Sequence, residues 1–176
     1  MKLYVTRHGE TTWNVAWRVS GVTDVELTDR GREQANGLAR VLKNEKIDLI
    51  IVSPLKRARH TAEIINRECN APVIIDDRLT EQNYGIYEGA HRKSEGFLGN
   101  KRRFAFKYPG GESMMQVGYR VYSLLNEIKE KYGDRKVLLV THGGVCRIIK
   151  TYFEDMTNEE FFEYSQDNCG LAIYDL

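Results

Sequence analysis

The chain has 176 residues, a formal net charge of +1, and a composition that is 41% hydrophobic and 29% charged. This length predicts one domain with a core that needs neither disulfides nor metals. The near-neutral charge gives no support for nucleic-acid or membrane-surface binding, and no stretch approaches the roughly 18 apolar residues that span a bilayer. The three widely spaced cysteines predict free thiols in a reducing compartment. With no signal-peptide pattern at the start, we expect a cytoplasmic protein.

The first part of the chain alternates strand and helix signals. Residues 2–6 predict a strand, whereas 10–29 show no clear period and predict an ordered loop. A helix is expected to begin at Thr28 or Asp29. Its apolar stripe follows helical spacing and consists of Ala35, Leu38, Ala39 and Leu42. The short apolar run 48–52 is typical of a buried parallel strand.

A second strand and helix follow before the pattern is lost. Ser53-Pro54 predicts the N-cap and first residue of a helix that continues through Ile65, and 73–75 predicts a third strand. Residues 76–111 predict a loop with at most one helix. A stretch of that length within a domain is usually functional.

The remaining elements complete the fold prediction. Ser113 with Gln116 forms a capping-box signature that begins a long helix, and 136–140, 145–153 and 171–174 predict a strand, a helix and a final strand. This alternation predicts an α/β fold: a three-layer sandwich with a mainly parallel central sheet and helices on both faces. We expect residues 1–176 to form a single domain.

Two strand ends share one pattern. The strands that end at Val5 and Val140 each continue through a threonine to a histidine followed by glycine, at His8 and His142. The carboxyl ends of parallel strands line the crevice where α/β sheets bind ligands. We therefore expect both imidazoles to lie in one site, although a lone histidine in a turn more often makes only a structural hydrogen bond.

The neighbours of these histidines indicate phosphate chemistry. Arg7 carries a permanent cation with a fork of donors suited to phosphate. An imidazole beside a guanidinium is held neutral, and a neutral ring nitrogen can act as a nucleophile. Gly143-Gly144 at a helix start would add backbone N–H groups at the positive end of the helix dipole. Together these residues predict a phosphate pocket.

Two further residues follow strand ends. Arg57 lies in the first turn of the helix that follows the second predicted strand. Glu81 lies just after the end of the third strand, and its carboxyl group could protonate a departing oxygen. Taken alone, Glu81 is more often a surface glutamate, and the alternative for Arg57 is a solvated helix charge. No metal-ligand spacing and no nucleotide-binding glycine motif occurs in the sequence, so we expect neither metal nor cofactor.

With these residues identified, the chain resembles the histidine phosphatase superfamily, also called the phosphoglycerate mutase-like family, over nearly its whole length. The matching blocks are Arg7-His8-Gly9-Glu10-Thr11 with Asn14, Gly21 to Ala35, Ser53-Pro54 with Arg57, Leu79-Thr80-Glu81 with Tyr84-Gly85, Pro109-Gly110-Gly111-Glu112-Ser113 and Val140-Thr141-His142-Gly143-Gly144.

The resemblance implies a variable substrate-covering segment at about 85–111 and a role for each site residue. His8 would be the nucleophile that becomes phosphohistidine, and Glu81 would protonate the leaving group and then activate water. The side chains that would hold the phosphoryl oxygens are Arg7, Arg57 and His142. The substrate-binding set would be Asn14, Ser20, Gly21, Tyr84 and Gly143. Ser20 replaces the glutamine of many members, and Tyr87 replaces a tryptophan, which puts the substrate contacts in doubt.

We therefore expect a metal-independent phosphomonoester hydrolase that acts on a small phosphorylated metabolite. A phosphoglycerate mutase-type transfer and a non-catalytic phosphoryl-binding module are the alternatives. The segment between Gly89 and Pro109 is short for the water-excluding lid that a mutase needs. A homodimer is left open.

The segment from Arg92 to Lys107 has six Lys or Arg residues against one Glu. It is the best candidate for a specificity element, and it is equally compatible with a solvated helix face. If it faces the site, it favours a substrate with a second anionic group.

Overall fold

A computed structural model describes all of residues 1–176. Its strands are β1 Lys2–Arg7, β2 Leu49–Val52, β3 Val73–Ile75, β4 Lys136–Thr141 and β5 Leu171–Asp175. Its helices are α1 Thr12–Val15, α2 Asp29–Leu42, α3 Lys56–Cys69, α4 Glu95–Lys101, α5 Met114–Tyr132, α6 Gly143–Phe153 and α7 Asn158–Glu163. Short 3₁₀ turns occupy Asp77–Leu79 and Gly85–Tyr87. None of the helices combines the length and the apolar character required to cross a membrane.

The five strands form one sheet in the order β3-β2-β4-β1-β5. The first four are parallel, and only β5 runs antiparallel, against β1. Because the four parallel strands end at the same edge, the residues that follow them converge there. The predicted three-layer α/β sandwich with a mainly parallel sheet is confirmed.

Alternate residues of the central strands enter two separate cores. On one face, Leu3, Val5 and Leu139 pack with apolar residues of α5 and α6. On the other, Tyr4 and Val140 pack with residues of α2 and α3. The helices therefore cover both faces of the sheet, because successive side chains of a strand point to opposite sides.

The predicted start of the second long helix was wrong by two residues. We predicted Ser53 as the N-cap and Pro54 as the first helical residue, but α3 begins at Lys56 and its N-cap, Leu55, makes no side-chain hydrogen bond. The Ser53 hydroxyl lies 2.7 Å from Nε2 of His142 instead. Ser53, which the local pattern predicts as an N-cap, therefore contacts one of the two candidate histidines instead.

Two short helices were not predicted. Helix α1 lies within residues 10–29, which were predicted to be loop, and α7 follows α6. Each begins with a capping box, at Thr11 and Thr157. Helix α1 buries none of its residues, so it has no apolar stripe for a periodicity analysis to detect.

The segment from Gly85 to Gly111 packs against Val19 through aromatic residues. Phe97 of α4 and Tyr108 form a small buried cluster with Val19, and Tyr84 and Tyr87 pack against it. This cluster places α4, whose residues belong to the basic stretch, beside the strand ends.

Candidate active site

The structure brings the two predicted histidines together. Strands β1 and β4 are paired so that Arg7 lies beside Thr141, and the N–H of His8 donates to the carbonyl of Thr141 at 2.9 Å. The two imidazole rings have centroids 5.2 Å apart. The pairing of neighbouring strands thus converts two distant His-Gly turns into one site.

Hydrogen bonds define which nitrogen of each ring is available. Nδ1 of His8 lies 2.7 Å from the carbonyl of Gly9 and must carry the proton, because a carbonyl can only accept. Nε2 of His8 lies 3.2 Å from Nε of Arg57, which also lies 3.2 Å from Nδ1 of His142. The Arg57 Nε–H is therefore shared between two ring lone pairs, and His142 directs its Nε2–H to Ser53.

This environment keeps both histidines neutral. Burial, followed by the charges of Arg57 and Arg7, holds the pKa of His8 well below its ordinary value. Burial, Arg57 and His8 lower the pKa of His142 in the same direction. His8 consequently presents an unprotonated Nε2 at neutral pH, which is the state that a nucleophile requires.

Arg57 is fully buried behind the two imidazoles. Its Nη1 donates to the carbonyl of Thr23 at 2.9 Å, and its Nη2 donates to that of Gly21 at 2.6 Å. Burial lowers the pKa of Arg57 to about 10, so the group remains cationic at neutral pH. In this arrangement its donors point to the histidines and the backbone, and its contact with a phosphoryl oxygen stays a prediction.

Glu88 holds the loop that supports Arg57. Its carboxylate accepts from the N–H groups of Gly21 and Thr23 and from the Thr23 hydroxyl. Gly21, which was predicted to contact substrate, thus gives its N–H to Glu88 and its carbonyl to Arg57. Its observed contacts support the loop, and it does not line the cavity described next.

A cavity of about 250 Å³ opens beside His8. Arg7, Ser20 and Gly143 are among the residues that line it. Nη1 of Arg7 donates to the carbonyl of Gln166 at 2.8 Å, whereas Nε of Arg7 and the hydroxyl oxygen of Ser20 are buried without any partner. An unsatisfied buried polar group costs about 1–3 kcal/mol. These two atoms are therefore suited to a polar ligand, and for the Arg7 cation an anion is the best match.

Glu81 lies on the wall of the same cavity and is only 6% exposed. One carboxylate oxygen accepts from the N–H of Gln82 and the other from the N–H of Gly144, both at 2.9 Å. The Gly144 N–H was expected to be free for an anion, and that expectation was wrong because Glu81 occupies it. A Cβ atom at Gly144 would lie 2.5 Å from Oε1 of Glu81.

The other predicted substrate contacts, Asn14 and Tyr84, also line the cavity. The side-chain oxygen of Asn14 accepts from the N–H of Thr11 and from the amide of Asn168, which leaves its own NH₂ group as the donor available to a ligand. Tyr84 packs edge-on against Phe97 and Tyr108. No group of three or more His, Cys, Asp or Glu side chains is placed to hold a metal ion.

The basic stretch divides into two parts. Arg92 and Lys101 line the cavity, whereas Arg102, Arg103 and Lys107 are exposed to solvent.

Arg147, which the sequence analysis missed, also lines the cavity, and its guanidinium donates to the carbonyl of Tyr164. Its position four residues after Gly143 could have revealed it, because residues one turn apart share a helix face.

The two buried histidines predict how stability depends on pH. A base whose pKa is lower in the folded state leaves stability unchanged above its unfolded pKa of about 6.5 and reduces it as the pH falls below that value. We expect the free energy of unfolding to fall below pH ~6.5 by up to about 1.4 kcal/mol per pH unit for each histidine. Urea unfolding between pH 7.5 and 5 measures this slope.

His8→Gln should reduce that slope by about half, because it removes one of the two buried bases. Carboxylates affect the free energy of unfolding at lower pH than histidines do. Hydrogen bonds with Lys131 and Arg78 lower the pKa of Glu127 to about 2, so its contribution is lost only below its ordinary pKa of about 4.3. A free energy that is flat from pH 7.5 to 5 would contradict the assignment of neutral, buried histidines.

A family model described as "Histidine phosphatase superfamily (branch 1)" matches residues 3–176. The chain is 31% identical to phosphoserine phosphatase 1 of Hydrogenobacter thermophilus, covering 98% of this chain and 85% of that protein. It is 35% identical to the probable phosphoglycerate mutase GpmB of Yersinia pestis, over 99% and 85% of the two chains.

Among solved structures, the alpha-ribazole phosphatase from Shigella flexneri superimposes with a TM-score of 0.88. The identity is 30%, and the match covers 100% of this chain and 91% of that chain. The family model, these full-length similarities and the paired His-Gly turns agree, and the chain belongs to the histidine phosphatase superfamily, branch 1.

Proposed function

We propose that this protein is a metal-independent phosphomonoester hydrolase that acts through a phosphohistidine intermediate on a small phosphorylated metabolite. One observation carries the proposal. The cavity is lined by His8, whose Nε2 carries no proton, by Arg7, whose Nε has no partner, and by Glu81. Phosphoryl transfer to an enzyme requires a nucleophile, a hydrogen-bond donor to the phosphate anion and a proton donor for the leaving group.

The reaction proceeds in two steps. In the first, Nε2 of His8 forms a bond to phosphorus as the ester P–O bond breaks, and the departing oxygen takes a proton from Glu81. In the second, water gives a proton to Glu81 and attacks phosphorus, so that the N–P bond breaks and phosphate is released. Nδ1–H of His8 remains bonded to the Gly9 carbonyl, which stabilises the positive charge of the phosphorylated ring.

Three further cations of the cavity wall support a second anionic group on the substrate. Arg92, Lys101 and Arg147 line the cavity, and no carboxylate lies within ion-pair distance of any of them. Glu163 also lines the cavity. A cavity smaller than the roughly 300–1,000 Å³ typical of drug-sized ligands favours a compact molecule such as a phosphorylated acid.

Two relatives bear on the alternatives. One is named a phosphoserine phosphatase and another a probable phosphoglycerate mutase. A mutase must exclude water from its phosphorylated form, which requires a covering lid. Here the covering segment contains only one helix, α4, of 7 residues, which supports hydrolysis. A non-catalytic phosphoryl-binding module is disfavoured because both His8 and Glu81 are present and lie in the cavity.

The test is a hydrolysis assay with EDTA present, using 3-phosphoglycerate and glycerol 3-phosphate, which differ in the carboxylate. We expect phosphate release from both, with a higher kcat/KM for the acid. Because a hydrogen bond to a charged group contributes about 1.5–3 kcal/mol, Lys101→Gln should lower kcat/KM for the acid by roughly ten- to a hundredfold and leave glycerol 3-phosphate nearly unchanged.

The matched control is Lys107→Gln, which removes an exposed cation of the same segment. Loss of activity with EDTA would contradict the metal-independent mechanism. Interconversion of 3- and 2-phosphoglycerate with little phosphate release, followed by NMR, would instead show the mutase.

A further inference from the structure

Glu112 and Arg120 lie outside the cavity and hold the main chain around Glu81. Nη1 of Arg120 donates to the carbonyl of Arg78 at 2.7 Å, and Nη2 donates to the carbonyl of Glu81 at 3.3 Å. Arg120 belongs to α5, whose apolar face is packed in the core. One guanidinium from a rigid helix therefore holds two carbonyl groups of the segment that carries the proposed proton donor.

Glu112 holds the other side of the same segment. Its carboxylate accepts from the N–H of Asn83 at 2.9 Å, and its own N–H donates to the Asn83 carbonyl at 2.8 Å. Its carbonyl accepts from the side-chain amide of Gln82 at 3.1 Å. These contacts attach the residues that follow Glu81 to the start of α5.

The two residues also bind each other. Nε and Nη2 of Arg120 donate to the two carboxylate oxygens of Glu112, each at 3.1 Å. This is a bidentate pair, and its side chains are only 17% and 27% exposed. The pair and its contacts form one continuous network, which we call the Glu112–Arg120 clamp.

The other contacts of the segment lie at its ends, where the Thr141 hydroxyl donates to the carbonyl of Leu79 and the N–H of Tyr84 donates to Glu88. Residues 80–84 form neither helix nor strand and connect the two 3₁₀ turns. The Glu81 side chain is held by the N–H groups of Gln82 and Gly144. Both bonds depend on where the main chain at Glu81 lies, and a displacement of about 1 Å in a catalytic group can cost a hundredfold in rate.

We infer that the Glu112–Arg120 clamp positions Glu81 for proton transfer to the leaving group, an inference that rests on the function proposed above. In that step the ester P–O bond breaks, the bond from His8 Nε2 to phosphorus forms, and the proton moves from Glu81 to the departing oxygen. Neither residue of the clamp touches the reacting atoms. Both are positioning residues.

The test uses substrates that differ in their need for a proton. p-Nitrophenolate leaves readily without protonation, whereas the alkoxide of an alkyl phosphate does not. We expect Arg120→Met and Glu112→Gln to lower kcat/KM for glycerol 3-phosphate by about tenfold more than for p-nitrophenyl phosphate, as partial loss of general-acid catalysis predicts. Arg120→Lys, which keeps one charged donor, should give a smaller change in that ratio.

The matched control is Arg78→Met. The Arg78 side chain forms ion pairs with Asp76 and Glu127 in the same region, and its removal should lower stability without changing the substrate ratio. If both clamp variants leave the ratio of the two activities unchanged, the clamp is only structural and the inference is wrong.

A second readout does not require turnover. The amide hydrogens of Gln82 and Gly144 are bonded to Glu81, so their exchange with solvent, measured by NMR, should be faster in Arg120→Met and Glu112→Gln. Unchanged exchange in both variants would overturn the inference. A parent protein that releases no phosphate while these amides lose protection in the variants would contradict the proposed function and leave the positioning role supported.

Discussion

His8→Ala is expected to lose at least about a thousandfold of the activity toward phosphate monoesters, because it removes the group that forms the bond to phosphorus. The loss should fall on every substrate alike, since no leaving group can compensate for an absent nucleophile. The reaction with a radiolabelled substrate is quenched rapidly without acid. The parent should then retain label through a bond that is acid-labile and base-stable, as expected of phosphohistidine, and the variant should retain none.

Two controls make this result specific. His60→Ala removes a partly exposed histidine whose ring lies near Glu26, and it should keep full activity. His8→Asn retains a polar side chain at the buried position, so a matching loss in that variant separates chemistry from packing. Substantial hydrolysis by His8→Ala, or label that remains bound in it, would show that another group attacks phosphorus.

Gly144→Ala is expected to reduce kcat/KM for alkyl phosphates by about a hundredfold, at the lower end of the range for general-acid catalysis. The new Cβ would lie 2.5 Å from Oε1 of Glu81, so the carboxylate must move away. Only a flexible side-chain end has to shift, and alanine favours helices, so the fold should be retained. p-Nitrophenyl phosphate should be much less affected, because its leaving group needs no proton.

Gly118→Ala is the matched control, because it also replaces a helical glycine and its Cβ would meet no atom within 4 Å. It should keep activity and gain up to about 1 kcal/mol in the free energy of unfolding. Glu81→Ala provides the benchmark, and its dependence on the leaving group should resemble that of Gly144→Ala. Equal losses on both kinds of substrate in Gly144→Ala would show that the change acts on the phosphate site instead of on Glu81.

Much of the fold could be predicted from local patterns. The run 48–52 and the apolar stripe of α2 have periods that follow directly from strand and helix geometry, and the structure contains both elements. The capping box at Ser113 likewise marked the start of α5. The exceptions are informative. Ser53 has the local preference of an N-cap, but its hydroxyl bonds to His142, a residue that only the completed sheet brings near it.

The candidate site, like the fold, could be predicted from the sequence only in part. His8 and His142 could be predicted together because strand ends in a parallel sheet share one edge. The use of the Gly144 N–H by Glu81 and the support of Gly21 by Glu88 could not, since hydrogen-bond partners far apart in the chain have no local signal. Arg92 and Lys101 were distinguished from the other basic residues of their segment only when the aromatic cluster placed α4 beside the cavity.

By itself, the sequence determined the alternation of strands and helices and the residue types that carry phosphate chemistry, because periodicity and side-chain chemistry are local properties. Tertiary structure alone decided which nitrogen of His8 carries the proton, the sharing of the Arg57 Nε–H between two rings and the placement of Glu81 by Gly144 and Arg120. Burial and distance set these features, and neither exists until the strands are paired and the helices are packed against them.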